Sequence, residues 1–315
     1  MCWTWAFSRD TGSRSAITHP RRRACRPLFS ERVGREETPV VPPDAVAGWD
    51  ERHTAEAYAC FTHLFPMYTN TSRDLVERAE LRGSRLVVDL CGGTGVTAGA
   101  ALAVLPSRAR VISLDASAAM QEVGRRSLHD TRLSWVTARA EDVARHVGEG
   151  ADAVVCNSAI WKTDTMATFT AVRSVLRPGG RFVFNIGGGF AGVTHPDEEA
   201  ARTGPSLSAL IQDVAVRDYG YVPPRKTRAR PKLPLEVVRA QLRAAGFRVL
   251  EAGVVAHHGT MAEKRAWLSI PIFAQPEGDL TYEQRMEILR KAYALVAPGQ
   301  VTVTSWLVVV AQAAG

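Results

Sequence analysis

Asp89 stands before a glycine-rich run, Leu90-Cys91-Gly92-Gly93-Thr94-Gly95, and Asp115 closes the run Arg110-Val111-Ile112-Ser113-Leu114. Glycine lacks the Cβ that would collide with a ligand drawn close to the backbone, so the first run reads as a tight turn against a ligand. A carboxylate placed ahead of those glycines repels a pyrophosphate and suits a ligand with positive charge. Asp115 lies about 20 residues past the glycines, where an acid accepts hydrogen bonds from ribose hydroxyls. A nucleoside ligand and a cationic ligand are therefore both indicated.

Groups that could take a proton lie further on. His195, His257, His258 and Tyr221 are candidate bases, since imidazole titrates near neutrality. Each also reads as a structural or solvent-facing side chain. The three histidines could bind a metal, but adjacent residues of a strand point to opposite faces, so no metal site is expected. The five cysteines (Cys2, Cys25, Cys60, Cys91, Cys156) contain no CxxC pair. Neither zinc nor a disulfide framework is indicated, and reduced thiols are expected, as in the cytoplasm.

These residues need strands that end together. Leu86 to Leu90 reads as a buried parallel strand, and Val96 to Leu105 as the helix after it, with its N-terminal amides facing the ligand. A strand, a Gly-rich turn and a helix make the first βα unit of a doubly wound sheet, whose ligands sit at the carboxyl ends of the strands. Arg110 to Asp115 is the second strand, and Ser117 opens a helix carrying Met120. Leu133 to Thr137 is the third strand and Asp152 to Asn157 the fourth. Thr163 to Leu176 is a helix, ended sharply by Arg177-Pro178-Gly179-Gly180 before strand five, Arg181 to Ile186.

Upstream, Thr54 to Phe65 has helical spacing. Tyr68 to Ser72 reads as a polar turn, with Ser72 capping a second helix through Leu75, Val76 and Leu81. Downstream, Gly187-Gly188-Gly189 leads to a polar stretch with His195, then a helix over Ser206 to Val216. The Pro-bounded loop from Pro223 to Lys232 carries five cations. They either attract a phosphate, diphosphate or carboxylate or are solvated. Leu235 to Ala245 is helical and Phe247 to Ala256 is strand six, followed by His257 and His258. Met261 to Leu268 and Tyr282 to Val296 are helices, and Val301 to Ala311 is the last strand.

The succession of Asp89 with its glycines, Asp115, the Asn157 loop and the Leu-Arg-Pro-Gly-Gly turn resembles the class I S-adenosylmethionine-dependent methyltransferases over residues 84–187. Their first motif is an acid followed by three alternating glycines. Gly93 and Gly95 match, and Cys91 replaces the first. The resemblance implies a Rossmann-like α/β fold: a doubly wound seven-stranded sheet of order 3-2-1-4-5-7-6, strand seven antiparallel, helices on both faces and a helical lid. It implies S-adenosylmethionine as cofactor. It places Asp89, Gly93, Gly95, Asp115 and Ala116 around that ligand, with Met120 near the adenine face. The Ala140 backbone amide, with Glu141 or Asp142, would read the adenine edge. Asn157 and Trp161 would line both cofactor and substrate, and Tyr68 would contact the cofactor from the helices ahead of strand one. Open alternatives are that Tyr68 is interhelical packing with its hydroxyl in water, that Glu141 and Asp142 favour a helix N-terminus, and that Met120 packs on the sheet. Lys162 reads as solvated.

A chain of 315 residues, 46% hydrophobic and 23% charged, has the make-up of a globular protein with a sizeable core. No stretch approaches the roughly 20 apolar residues of a membrane span. Residues 1–45 read as a disordered extension or upstream reading frame rather than a nucleic-acid-binding arm, and 46–83 as a helical cap. The cofactor-binding core is 84–187, a substrate lid 188–234, and the rest of the core with a helical insertion 235–315. The expected function is methyl transfer to a small acceptor of specialised metabolism, anionic if the basic loop meets it, in the cytoplasm. A homodimer is compatible; no nucleic-acid or membrane partner is expected. The alternatives are a methyltransferase fold with a cyclase or binding role, a dinucleotide-dependent oxidoreductase, which Asp89 argues against, and an RNA methyltransferase, for which no base-stacking signature is found.

Overall fold

The computed structural model describes residues 47–148, 150–223 and 233–315. The expected N-terminal extension, and the basic loop from Pro224 to Lys232, lie outside the described residues. Strands β1 (Leu86–Leu90), β2 (Arg110–Asp115), β3 (Leu133–Thr137), β4 (Ala151–Cys156), β5 (Leu176–Gly187), β6 (Phe247–Thr260) and β7 (Val301–Ala313) form one sheet of order β3-β2-β1-β4-β5-β7-β6. β1 to β5 pair in parallel, and β7 runs antiparallel to both its neighbours. This is the order and direction expected.

Helices α1 (Arg52–Leu64) and α2 (Met67–Arg78) precede the sheet. α3 (Val96–Val104), α4 (Ala118–Ser127), α5 (Val143–His146) and α6 (Thr165–Val175) connect its parallel strands. After β5 come α7 (Gly188–Ala191), α8 (Pro196–Ala200), α9 (Leu207–Tyr219) and α10 (Leu235–Ala244). α11 (Met261–Leu268) and α12 (Tyr282–Tyr293) fill the connection from β6 to β7. Among the described residues no helix is long and apolar enough to cross a membrane.

Burial on both faces explains the near-continuous apolar strands. Alternate residues enter different cores. Val87, Val111, Val155 and Val183 pack with α2 and α3. Val88, Ile112, Val154, Phe182 and Phe184 pack with α6 on the other face. There Phe169, Phe182 and Phe184 are fully buried, with centroids 4.7–5.6 Å apart; each contributes about 1.5–3 kcal/mol by leaving water. A smaller cluster joins α9, α11 and α12 beyond the sheet.

Three expectations change. The run Tyr68 to Ser72 is not a turn but the first half of α2, and Ser72 sits inside that helix, not at its cap. Pro66, at the N-cap, makes the break from α1 instead. The polar residues stay helical because they find partners: Thr71 Oγ1 donates to Met67 O at 3.1 Å, and Ser72 Oγ bonds Thr97 Oγ1 at 2.9 Å. Leu81 lies past the helix end and is buried. Strand β6 does not stop at Ala256, because its ladder with β7 continues to Thr260↔Val301 and takes in His257 and His258. Strand β5 begins at Leu176, and a register shift between Ala151 and Ala153 lets Arg177-Pro178-Gly179-Gly180 bulge from its start.

Candidate active site

The turn after β1 is shaped by what cannot fit there. A Cβ on Gly92 would stand 2.4 Å from Asp89 Oδ2 and 2.2 Å from Ser113 Oγ. Gly93 is left-handed at φ +53°, and Cys91, in place of a glycine, is left-handed too at φ +55°. A hydrogen bond with Cys156, then burial, pushes the Cys91 thiol well above the usual range. Gly93 N donates to Asp115 Oδ2 and Ser117 N to Asp115 Oδ1, both at 2.8 Å. Asp115 therefore stitches the β1 turn to the start of α4, where Ser117 caps the helix by accepting from Met120 N. Burial raises the Asp115 pKa, and the charge of Lys162 opposes that.

Asp89 is placed differently. Its carboxylate is buried behind the turn, with Oδ2 accepting from Ala98 N in the first turn of α3 at 3.0 Å and from Ser113 Oγ at 3.3 Å. Burial pushes it up to about 7, and Oδ1 has no hydrogen-bond partner among the described residues. Gly95 also serves packing, since at φ +82° its Cβ would come within 2.5 Å of Trp135 Cη2. Neither Asp89 nor Gly95 borders the cavity; Gly93 and Asp115 do.

That cavity, of about 780 Å³, runs from the β1 turn to the β6–β7 end of the sheet. Ala116, Met120, Ala140, Glu141, Asn157 and Trp161 border it with Tyr68. Asn157 ties strand to cap: its Nδ2 donates to Tyr68 O at 3.3 Å, Thr71 Oγ1 at 3.1 Å and Ser72 Oγ at 2.9 Å. The Tyr68 hydroxyl is not in water. It is buried, accepts from Trp267 Nε1 at 3.1 Å, and burial pushes it up to about 12. Trp161 stacks on Phe190 with centroids 4.6 Å apart. Lys162 is not simply solvated; its ammonium lies 4.0 Å from the centroid of Trp49, beside Asp115. Glu141 Oε1 accepts from Asp164 N at 2.8 Å, so part of its role is at the start of α6. Asp142 pairs with Arg145 at 3.0 Å, away from the cavity.

Of the candidate bases, His257 alone borders the cavity. It is buried, with Nε2 3.0 Å from Glu263 Oε2, while Glu263 Oε1 accepts from Met67 N at 3.1 Å. His195 instead caps α8 by accepting from Asp197 N, and its own amide donates to Ser305 Oγ at 2.8 Å. Tyr221 packs beside α9, α11 and α12. His258 is turned outward and pairs with Asp197 at 3.1 Å. Among the described residues no cluster of three metal-binding side chains occurs.

Several cavity residues are not evident as site residues in the sequence: Trp49, Phe190, Glu198, Glu263, Lys264, Trp267 and Trp306. One signal was present. Met261, Lys264 and Trp267 recur every third residue, one face of a helix.

The donor set fits a nucleoside. Each Asp115 oxygen holds one amide and keeps a second lone-pair direction at the cavity wall, and the left-handed glycine beside it lets a ligand approach the backbone. A family profile for the methyltransferase domain matches residues 87–180. A demethylmenaquinone methyltransferase of Clavibacter sepedonicus is 34% identical over 196 residues, which span 57% of this chain and 74% of that protein. Among solved structures, a protein of Bacillus halodurans C-125 assigned as a methyltransferase aligns with TM-score 0.49 and 17% identity, covering 78% of this chain and 99% of its own. The phosphoethanolamine N-methyltransferase 2 of Haemonchus contortus, in complex with phosphomonomethylethanolamine and S-adenosylhomocysteine, aligns with TM-score 0.45 and 17% identity over 78% of this chain and 53% of its own. On its sequence match to the curated relative and the domain profile, this chain belongs to the class I S-adenosylmethionine-dependent methyltransferases.

Proposed function

We propose that this enzyme methylates a small, flat, largely apolar acceptor of specialised metabolism, with His257 as the base that takes the acceptor's proton. The observation that carries this reading is a single cavity joining Gly93 and Asp115 at one end to the buried His257–Glu263 pair at the other. S-adenosylmethionine supplies, when bound, a methyl group already activated by its sulfonium. Asp115 accepts from the ribose hydroxyls, the Ala140 amide and Glu141 meet the adenine edge, and Met120 packs on its face. Gly93 gives the backbone its close approach. Tyr68 closes the site from the cap, which Asn157 of the β4 loop holds in place, and Trp161 on Phe190 forms a flat wall for the acceptor. Asp89 and Gly95 hold the turn in shape from behind.

The enzyme's own work is then orientation, exclusion of water and removal of one proton. With Nε2 donating to Glu263, the Nδ1 lone pair of His257 is the acceptor for that proton. His195 and Tyr221 take no part. Demethylmenaquinone, named for the relative, is a fused-ring quinone whose reduced form carries two ring hydroxyls, which makes fused-ring hydroxy compounds the first acceptors to test. Transfer of labelled methyl from S-adenosylmethionine to naphthols and short-chain reduced demethylmenaquinone, falling about a hundredfold or more in His257→Asn, supports the reading. Transfer unchanged in His257→Asn, or transfer only to RNA or protein, contradicts it.

A further inference from the structure

Lys264 is a cation in the cavity that the reading above does not use. It sits on the same face of α11 as Met261 and Trp267, and its Nζ lies 4.4 Å from the Trp267 ring centroid. The other cavity cations are matched: Arg139 approaches Glu141 at 3.5 Å, Arg202 pairs with Glu198 at 3.1 Å, and Lys162 faces Asp115. Glu198, the acid closest in effect to Lys264, is already engaged. Besides Arg202 it accepts from Ser305 N at 3.1 Å and Ser305 Oγ at 2.5 Å. Glu263 is held by Met67 N and His257, and Glu277 is exposed. Lys264 thus has an aromatic face but no carboxylate partner among the described residues. Burial of the ammonium lowers its pKa, with the field of Glu198 opposing. Lys264 is half-buried at the cavity wall; a partly desolvated charge that lacks an ion partner carries a cost, and a ligand that brings one is favoured.

We infer that Lys264 anchors a carboxylate of the acceptor, so that among the flat acceptors proposed above an aromatic acid is bound in preference to a neutral ring. The wall beside Lys264 is aromatic, because Trp267 stacks on Phe273 with centroids 4.0 Å apart and 15° between planes, and both border the cavity. A ring packs against the cavity-facing edges of that pair while its carboxylate meets the ammonium. This inference rests on the methyltransferase reading of the same cavity.

Calorimetric titration separates the two. The protein is first saturated with S-adenosylhomocysteine, then titrated with 2-naphthoate and with 2-naphthamide, which share a ring and differ in charge. Naphthoate is expected to bind about tenfold or more tightly than naphthamide, the scale of one charge-assisted hydrogen bond. Lys264→Met is expected to erase the preference and Lys264→Arg to keep most of it, with uptake of S-adenosylhomocysteine reporting that each variant is folded. Equal binding of acid and amide, a preference that survives Lys264→Met, or no binding of either beside bound S-adenosylhomocysteine overturns the inference and leaves the methyltransferase reading standing. Failure of S-adenosylhomocysteine itself to bind overturns both.

Discussion

Replacing Asp89 by Asn keeps the shape of a buried side chain and removes its titration. Burial pushes this carboxyl from 3.8 up to about 7, against the hydrogen bonds from Ala98 N and Ser113 Oγ that favour its charged form. In the unfolded chain it ionises near 3.8. Between those values the folded protein holds a proton that the unfolded chain has lost, so stability falls as pH rises. The contribution is complete below about pH 3.8 and gone above about pH 7. At about 1.4 kcal/mol per unit, the interval from about pH 5 to about pH 8 removes about 3 kcal/mol from the wild type. An asparagine can keep the bond from Ala98 N through its amide oxygen and does not titrate. Urea unfolding of both proteins across that interval reads the effect as a difference, in which the histidines cancel. The stability of the wild type minus that of Asp89→Asn should fall by about 3 kcal/mol, most of it below about pH 7. A difference that stays constant with pH refutes the buried, proton-holding Asp89 described above.

Three further perturbations test the site's frame. Gly95→Ala drives a Cβ to 2.5 Å from Trp135 at a left-handed position, and should cost about 2–4 kcal/mol in urea unfolding; an unchanged midpoint contradicts it. Tyr68→Phe leaves the Trp267 indole N–H without its acceptor, for a loss of about 1–2 kcal/mol in the same assay. Asn157→Ala cuts the links from the β4 loop to Tyr68, Thr71 and Ser72. It should weaken S-adenosylhomocysteine by about tenfold, measured by calorimetry, through a loosened cap. Affinity equal to wild type would mean the cap does not need that tie.

The sheet was legible because each strand carries its own evidence. The apolar run Leu86–Leu90 leads into the Cys91-Gly92-Gly93 turn and Arg110–Asp115 ends in an acid, and both boundaries match the observed strands. Local signals misled where tertiary partners override them. Tyr68 to Ser72 has the composition of a turn, yet contacts with Thr97 and Asn157 keep it helical. His257 follows an apolar run and looks like a strand end, but pairing with Thr304 on β7 carries the strand past it. The placement of Asp89 was equally hidden: that its carboxylate turns toward Ala98 and Ser113, not the cavity, depends on the α3 N-terminus meeting β2. The end of the cavity away from the β1 turn was least legible. Glu263, Lys264 and Trp267 come from a connection after β6, and only the packing of α11 over the sheet edge brings them to residues near the β1 turn.

Whether a nucleoside is held at the ends of β1 and β2 is tested by calorimetric titration of S-adenosylhomocysteine. The wild type and Asp115→Ala are titrated in parallel, with NAD as the competing ligand. Saturable binding of S-adenosylhomocysteine is expected, weakened about a hundredfold or more in Asp115→Ala as two hydrogen bonds to a charged acceptor are lost, each about 1.5–3 kcal/mol. No binding, equal binding by Asp115→Ala, or saturable binding of NAD in its place contradicts a nucleoside held by Asp115.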